Sequence, residues 1–231
     1  MWSYYGSKSR VVDLYPRPLH NKIIEPFAGS ARYSLKYWEN DILLVDKYDV
    51  VIKVWHYLQK CSPKDILGLP QLTEGLDISK LNISDEEKMF LGINAGVASV
   101  SPRNKVSSFI GQQNGRYNKF KIIAANLYKI KHWKIIQDDF SNIENKIATW
   151  FIDSPYQFGG MAYIENKIDF NYLGQWSKER IGQVIVCENM KANWLPFVPL
   201  SVSRGANGRN TTEAIWTNYH THYNNVQQQL F

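Results

Sequence analysis

From Trp150 to Tyr156 the sequence reads WFIDSPY: three apolar residues, an aspartate, a serine, a proline and a tyrosine. Asp153 offers a carboxylate directly after a run suited to a buried strand, and the main-chain carbonyl of Ser154 follows one residue later. Pro155 fixes its own φ and holds Ser154 in extended conformations. Tyr156 adds a flat aromatic face. A carboxylate, a rigid turn and an aromatic ring thus form one cluster at the mouth of a strand expected to be buried.

The habit of an apolar strand ending in a carboxylate recurs along the chain. It appears in Asn21 to Glu25, Ile42 to Asp46, Trp133 to Asp138, Thr149 to Asp153 and Val184 to Glu188. Helical patterns follow the first two, over Ser30 to Glu39 and over Asp49 to Lys60, the latter with Val51, Val54, Trp55 and Leu58 on one side. Alternating strands and helices imply an α/β fold with a parallel sheet. Parallel strands end at one edge, and open α/β sheets bind ligands in the crevice beyond those ends. A single aspartate after a strand is more commonly a helix cap or turn former; five strand-terminal acids together imply convergence on one site.

A second motif is Glu25-Pro-Phe-Ala-Gly-Ser-Ala31, at the turn between the first strand and the first helix. Gly29 lets a ligand approach the backbone closely, and Ser30 is placed to cap the helix. The dinucleotide-binding pattern G-x-G-x-x-G would need further glycines that are absent, which disfavours a nicotinamide cofactor. Asp46 follows at about the spacing from which a second-strand acid reaches ribose hydroxyls. Adenosine recognition without a pyrophosphate cradle is the outcome, and S-adenosylmethionine is the cofactor that fits it.

The 231 residues, 44% of them hydrophobic, suit one α/β domain with an insertion. Between Cys61 and about Lys131 the regular pattern breaks into Pro, Gly, Ser and Asn punctuation, which implies an inserted subdomain over 61–131, helical around Asp85 to Asn94 and Asn118 to Lys131, with a flexible tip from Ser99 to Tyr117. Residues 1–60 and 132–231 form the main domain. Apolar runs at Phe197 to Val202 and Ala214 to Tyr219 suit the last, antiparallel strands, and the polar tail from Asn224 is expected to fray. Met1 is followed directly by WSYYGSKSR and no run of eighteen apolar residues occurs, so a soluble cytoplasmic chain with no membrane partner is expected. The two cysteines, Cys61 and Cys187, and the five histidines have no metal-ligand spacing.

The formal charge of +6 points to an anionic partner. No Asp or Glu occurs from Lys88 to Gln137, whereas Arg103, Lys105, Arg116, Lys119, Lys121, Lys129, Lys131 and Lys134 do, interleaved with aromatics. That composition suits a surface that neutralises phosphates and touches bases.

With E-P-F-x-G-S, a second-strand acid and D-x-P-Y after a basic insertion, the chain resembles the Dam-like (alpha-group) adenine-specific DNA methyltransferases over nearly its whole length. Tyr4-Tyr5-Gly6-Ser7-Lys8 is similar to that family's N-terminal aromatic-x-Gly-Gly-Lys element, and Gln137-Asp138-Asp139-Phe140 to its third-strand pair near the cofactor's adenine. The resemblance implies a Rossmann-like methyltransferase sheet with helices on both faces and a mostly helical target-recognition subdomain. It implies S-adenosylmethionine contacts from Tyr4, Tyr5, Gly6, Lys8, Glu25, Phe27, Ala28, Gly29, Asp46, Asp139, Phe140 and Asp153, and catalysis by Asp153, Ser154, Pro155 and Tyr156. There, the carboxylate and the Ser154 carbonyl orient the amine of an adenine flipped from duplex DNA, with the base stacked on Tyr156 and Phe158 adding to the stack. Two departures stand out: Ala31 replaces a second glycine, and Ser154 replaces the usual first proline.

Within the insertion, Gln112, Gln113 and Asn114 suit adenine edges and Arg116 suits guanine, while Arg103, Lys105, Lys119 and Lys121 suit phosphates. Double-stranded DNA is the expected partner, with a cognate restriction endonuclease as a further one. An RNA adenine methyltransferase, or a methyltransferase-like protein that binds DNA without turnover, are the alternatives.

Overall fold

The strand at Lys22–Glu25 (β1) leads through the Gly29 turn to a short helix at Arg32–Lys36 (α1), then to Asp41–Asp46 (β2) and Asp49–Lys60 (α2). The computed structural model describes residues 2, 4–9, 11–96, 99–108, 115–204 and 210–219, with backbone alone at 115–118, 203–204 and 210–211. In α2 the buried positions Val51, Val54, Trp55 and Leu58 recur at helical spacing and press one face on the sheet. Lys131 donates to the Gln59 and Cys61 carbonyls that the helix end leaves open.

Short helices at Pro63–Leu67 (α3) and Asp85–Asn94 (α4) follow, then Gly115–Asn126 (α5), before the chain returns to the sheet as Lys134–Gln137 (β3) and Ala148–Ile152 (β4). After Phe170–Lys178 (α6) come Gly182–Asn189 (β5), Val198–Arg204 (β6) and Asn210–Thr217 (β7). The seven strands form one sheet in the order β3-β2-β1-β4-β5-β7-β6. β1 pairs in parallel with β2 and β4, β2 with β3, and β4 with β5, whereas β7 runs antiparallel to both β5 and β6. The result is an α/β fold with a mostly parallel mixed sheet, compatible with a Rossmann-like arrangement.

All five residues of β4 are buried, as both-face burial of a central parallel strand requires. Alternation splits them: Phe151 joins the cluster holding Trp55 of α2 and Phe90 of α4, and Trp150 joins the one holding Leu173 and Trp176 of α6. Buried residues of the 61–131 segment, among them Ile66, Phe90 and Ile123, belong to the same cluster as Tyr33 and Leu44. The strand order reverses between the parallel neighbours β1 and β4, which opens a crevice at their carboxyl ends.

Several expectations need correction. The first helix spans Arg32–Lys36 rather than Ser30 to Glu39, because Gly29 and Ala31 both have φ +43° and delay the helical conformation. Ser30 therefore does not cap it; the residue at the cap is Ala31. The last insertion helix starts at Gly115 and gives way after Asn126 to a 3-10 turn over Leu127–Ile130. Of the two C-terminal strands only β7 opposes the rest, since β6 is antiparallel to β7 and so shares the direction of β5. The tail and residues 109–114 of the expected tip lie outside the described residues. No described helix is long and apolar enough to cross a membrane.

Candidate functional site

At the β1 to α1 turn the backbone is held from two sides. The Asp46 carboxylate accepts from the Gly29 amide at 3.0 Å and from the Tyr48 amide at 2.9 Å, while Trp55 Nε1 donates to the Gly29 carbonyl at 2.9 Å. A Cβ on Gly29 would come within 3.3 Å of the Tyr4 ring. Burial pushes Asp46 up to about 6 against the pull of the two amides. Each carboxylate oxygen still has a free lone-pair site, so Asp46 can bind a hydroxyl while shaping the turn.

Glu25, 2% exposed, accepts from the Ser34 amide at 2.7 Å. It thereby satisfies an N–H in the first turn of α1, the task that Ser30 does not perform. Burial raises its pKa to about 8, with the Ser34 contact acting the other way.

The N-terminal segment closes one side. Arg32 donates to Ser7 Oγ at 2.8 Å and to the Trp2 carbonyl at 2.9 Å. From the loop after β4, Tyr163 donates to the Tyr5 carbonyl at 3.2 Å and packs its ring edge-on to Tyr5. Gly6 has φ +70°, and a Cβ there would collide with the Tyr163 hydroxyl. On the other side Asp139 binds the amide and hydroxyl of Ser141 and pairs with Lys47 at 3.3 Å. Burial would raise its pKa, but these contacts outweigh it and hold the carboxyl below its usual value. Phe140 packs against Phe27 at 5.2 Å.

Asp153 sits at the end of β4. Its Oδ1 is 2.8 Å from Lys8 Nζ, and Lys8 also lies 3.8 Å from Glu213 and 4.4 Å above the Tyr156 ring. Glu213 accepts from the hydroxyls of Tyr156, at 2.6 Å, and Tyr15, at 2.7 Å. Burial raises Asp153 to about 6, opposed by Lys8 and reinforced by Glu213. The loop itself is pinned by Glu188, which accepts from the Gln157 amide at 2.9 Å and from Trp194 Nε1 at 3.2 Å. Ser154 is 2% exposed, and its hydroxyl has no hydrogen-bond partner among the described residues.

All twelve residues expected at the cofactor, Tyr4, Tyr5, Gly6, Lys8, Glu25, Phe27, Ala28, Gly29, Asp46, Asp139, Phe140 and Asp153, line a single cavity of about 920 Å³, open mouth included. Pro155 lines it too; Ser154 and Tyr156, expected in the catalytic motif, are not among its lining residues. Asp139 rather than Asp138 faces it, whereas Asp138 binds the Asp139 amide and Asn142. Of the five strand-terminal acids, Asp138 and Glu188 do not line the cavity: Asp138 holds the Asp139 amide and Asn142, and Glu188 holds the loop after β4.

Neither any protein-family model nor any curated protein matches the chain.

Of the residues expected at nucleic acid, Arg103, Lys105 and Lys121 are exposed on the 61–131 segment. Lys119 instead bonds the buried Asn94 side chain at 2.7 Å. Arg116 lies on α5 with only its backbone described, and Gln112, Gln113 and Asn114 lie outside the described residues. Phe158 is exposed, and its carbonyl accepts from Asn189.

Glu213, Tyr15 and Tyr163 were not singled out from sequence. Glu213 did leave one signal: it shares strand parity with the core residue Ile215, an acid where an apolar residue belongs. Nothing local names the partners it meets.

Proposed function

We propose that the chain is an S-adenosylmethionine-dependent, adenine-specific DNA methyltransferase. The observation that carries the reading is the convergence of the Gly29 turn, Asp46, Asp139 with Phe140, the Tyr4 to Lys8 segment and Asp153 on one cavity at the β1/β4 crevice. The lining suits an adenosine group without phosphates. Asp46 and Asp139 provide acceptors, and Tyr4, Phe27 and Phe140 provide apolar walls. Three of the lining cations are already engaged: Lys8 with Asp153, Lys47 with Asp139, and Arg32 with Ser7. The strand order also departs from the dinucleotide-binding 3-2-1-4-5-6 arrangement, because β7 enters between β5 and β6.

S-adenosylmethionine, when bound, supplies a methyl group on a positively charged sulfur. The chain's own part is to make a poor nucleophile attack. Adenine's exocyclic amine delocalises its lone pair into the ring, and hydrogen bonds accepted by the Asp153 carboxylate and the Ser154 carbonyl favour the pyramidal, attacking form. Glu188 fixes the loop that carries both acceptors, and Pro155 restrains Ser154. Extruding the base costs a few kcal/mol, and an aromatic face such as Tyr156 returns roughly 1–3 kcal/mol by stacking. Arg103, Lys105 and Lys121 supply positive charge for the phosphates.

Transfer of labelled methyl groups to unmethylated duplex DNA, with structured RNA alongside, tests the reading, and single-molecule sequencing of the product locates base and site. Asp153→Asn is expected to lower kcat by roughly 10²–10³-fold with DNA binding retained. Because the carboxylate must be ionised, wild-type kcat/KM is expected to fall as the pH drops below about 6. DNA binding without methyl transfer by the wild type would sink the enzyme reading.

A further inference from the structure

We infer that Lys8 donates a hydrogen bond to a ring nitrogen flanking the target amine, so that Lys8 and Asp153 together read one edge of the base. The inference rests on the methyltransferase reading of the site and deepens it, by moving Lys8 from the cofactor to the substrate. Three observations carry it.

The first is the donor count. An ammonium has three N–H groups and no acceptor. Asp153 Oδ1 takes one at 2.8 Å, the Gly6 carbonyl stands at 3.5 Å, the outer limit of a hydrogen bond, and Glu213 at 3.8 Å attracts without bonding. The ammonium thus keeps donor capacity inside the cavity that it lines.

The second is position. Nζ lies over the Tyr156 ring, 4.4 Å from its centroid, so the ammonium shares that face. A base brought against the rest of the face meets Lys8 at its edge, where a ring nitrogen can accept a hydrogen bond.

The third is pairing. Asp153 and Lys8 place one acceptor and one donor side by side, the pattern that an Asn or Gln side chain uses to bind the amine and neighbouring nitrogen of adenine. Adenine offers such nitrogens on both sides of its amine, N1 and N7. Lys8 stays charged while doing so: burial alone would lower its pKa, but Asp153 and Glu213 outweigh burial and hold it above the usual lysine value. Glu213 is in turn fixed by the two tyrosine hydroxyls, so the donor sits in a framed position.

The test uses duplexes carrying adenine, 1-deazaadenine or 7-deazaadenine at the methylated position, with wild type and Lys8→Met. The wild type is expected to lose roughly 10- to 100-fold in kcat/KM with one of the two analogues, the size of a hydrogen bond to a charged group. Lys8→Met, checked for folding by thermal unfolding, is expected to be weakened on adenine and not weakened further by that analogue. Wild-type rates within about threefold for all three bases would overturn the inference without any variant. So would equal losses in wild type and Lys8→Met, which would trace the effect to the analogue's own chemistry. Absence of methyl transfer to the adenine duplex is a different failure: it removes the methyltransferase reading, and this inference with it.

Discussion

Glu25 illustrates how burial turns an ordinary acid into a pH-dependent element of stability. Its carboxyl lines the cavity yet also serves the Ser34 amide, and burial raises it from the usual 4.5 to about 8. Between those values the folded chain keeps a proton that the unfolded chain releases. The stabilisation is therefore complete below about 4.5 and is lost as the pH rises through about 8. Glu25→Gln keeps an oxygen for the Ser34 amide and cannot ionise. The variant is expected to flatten this slope and to be more stable than wild type by a few kcal/mol near pH 9; thermal unfolding from pH 5 to pH 9 checks it. Ser154 poses the opposite case. The proposed chemistry asks only for its backbone carbonyl, and its buried hydroxyl has no partner among the described residues, so nothing in the structure explains why serine stands there.

Among the elements, the β1 to α1 connection departs furthest from its sequence pattern. Ser30 reads as a cap and Ser30 to Glu39 as a helix, but left-handed geometry at Gly29 and Ala31 leaves five helical residues, with the distant Glu25 serving the first turn. An alanine in that conformation costs about 1–2 kcal/mol, whereas glycine adopts it freely and gives back about 0.5–1 kcal/mol through its more flexible unfolded state. Ala31→Gly is expected to stabilise the chain by about 0.5–1 kcal/mol, read as a higher urea midpoint with an unchanged slope; a lower midpoint would contradict the strain assigned to Ala31. Elements governed by periodicity were more legible. Helix α2 spans Asp49–Lys60 as its apolar stripe indicates, and β2 and β4 end within a residue of their strand-terminal acids. Helices α3 and α6 were missed although each carries a local cap. Ser62 and Asp65 form a capping box, and Asp169 accepts from Asn171 and Tyr172.

For the whole molecule, charge and topology act together. The net charge of +6 and the acid-free stretch from Lys88 to Gln137 make an anionic partner legible without coordinates. The fold then sorts those cations by task. Lys119 is tied to Asn94 and Lys131 to the end of α2, while Arg103 and Lys105 are exposed beside the strand-like contacts of Asn104 and Val106 with Ile78 and Leu76. If duplex DNA binds here, Arg103→Ala and Lys105→Ala are each expected to reduce the slope of log K against log salt by about 1. Lys119→Ala is expected to leave the slope unchanged and lower stability instead, and titrations at several salt concentrations separate the two. The sequence by itself determined the α/β class, the strand-terminal acids, the glycine turn and the acid-free basic stretch, because periodicity, backbone freedom and charge are local properties. Only the tertiary structure decided which acids share the cavity and which one holds a loop. It also brought Glu213 from the last described strand to Lys8 and Tyr156, since strand order and register set meetings between residues far apart in the chain, and no local pattern encodes them.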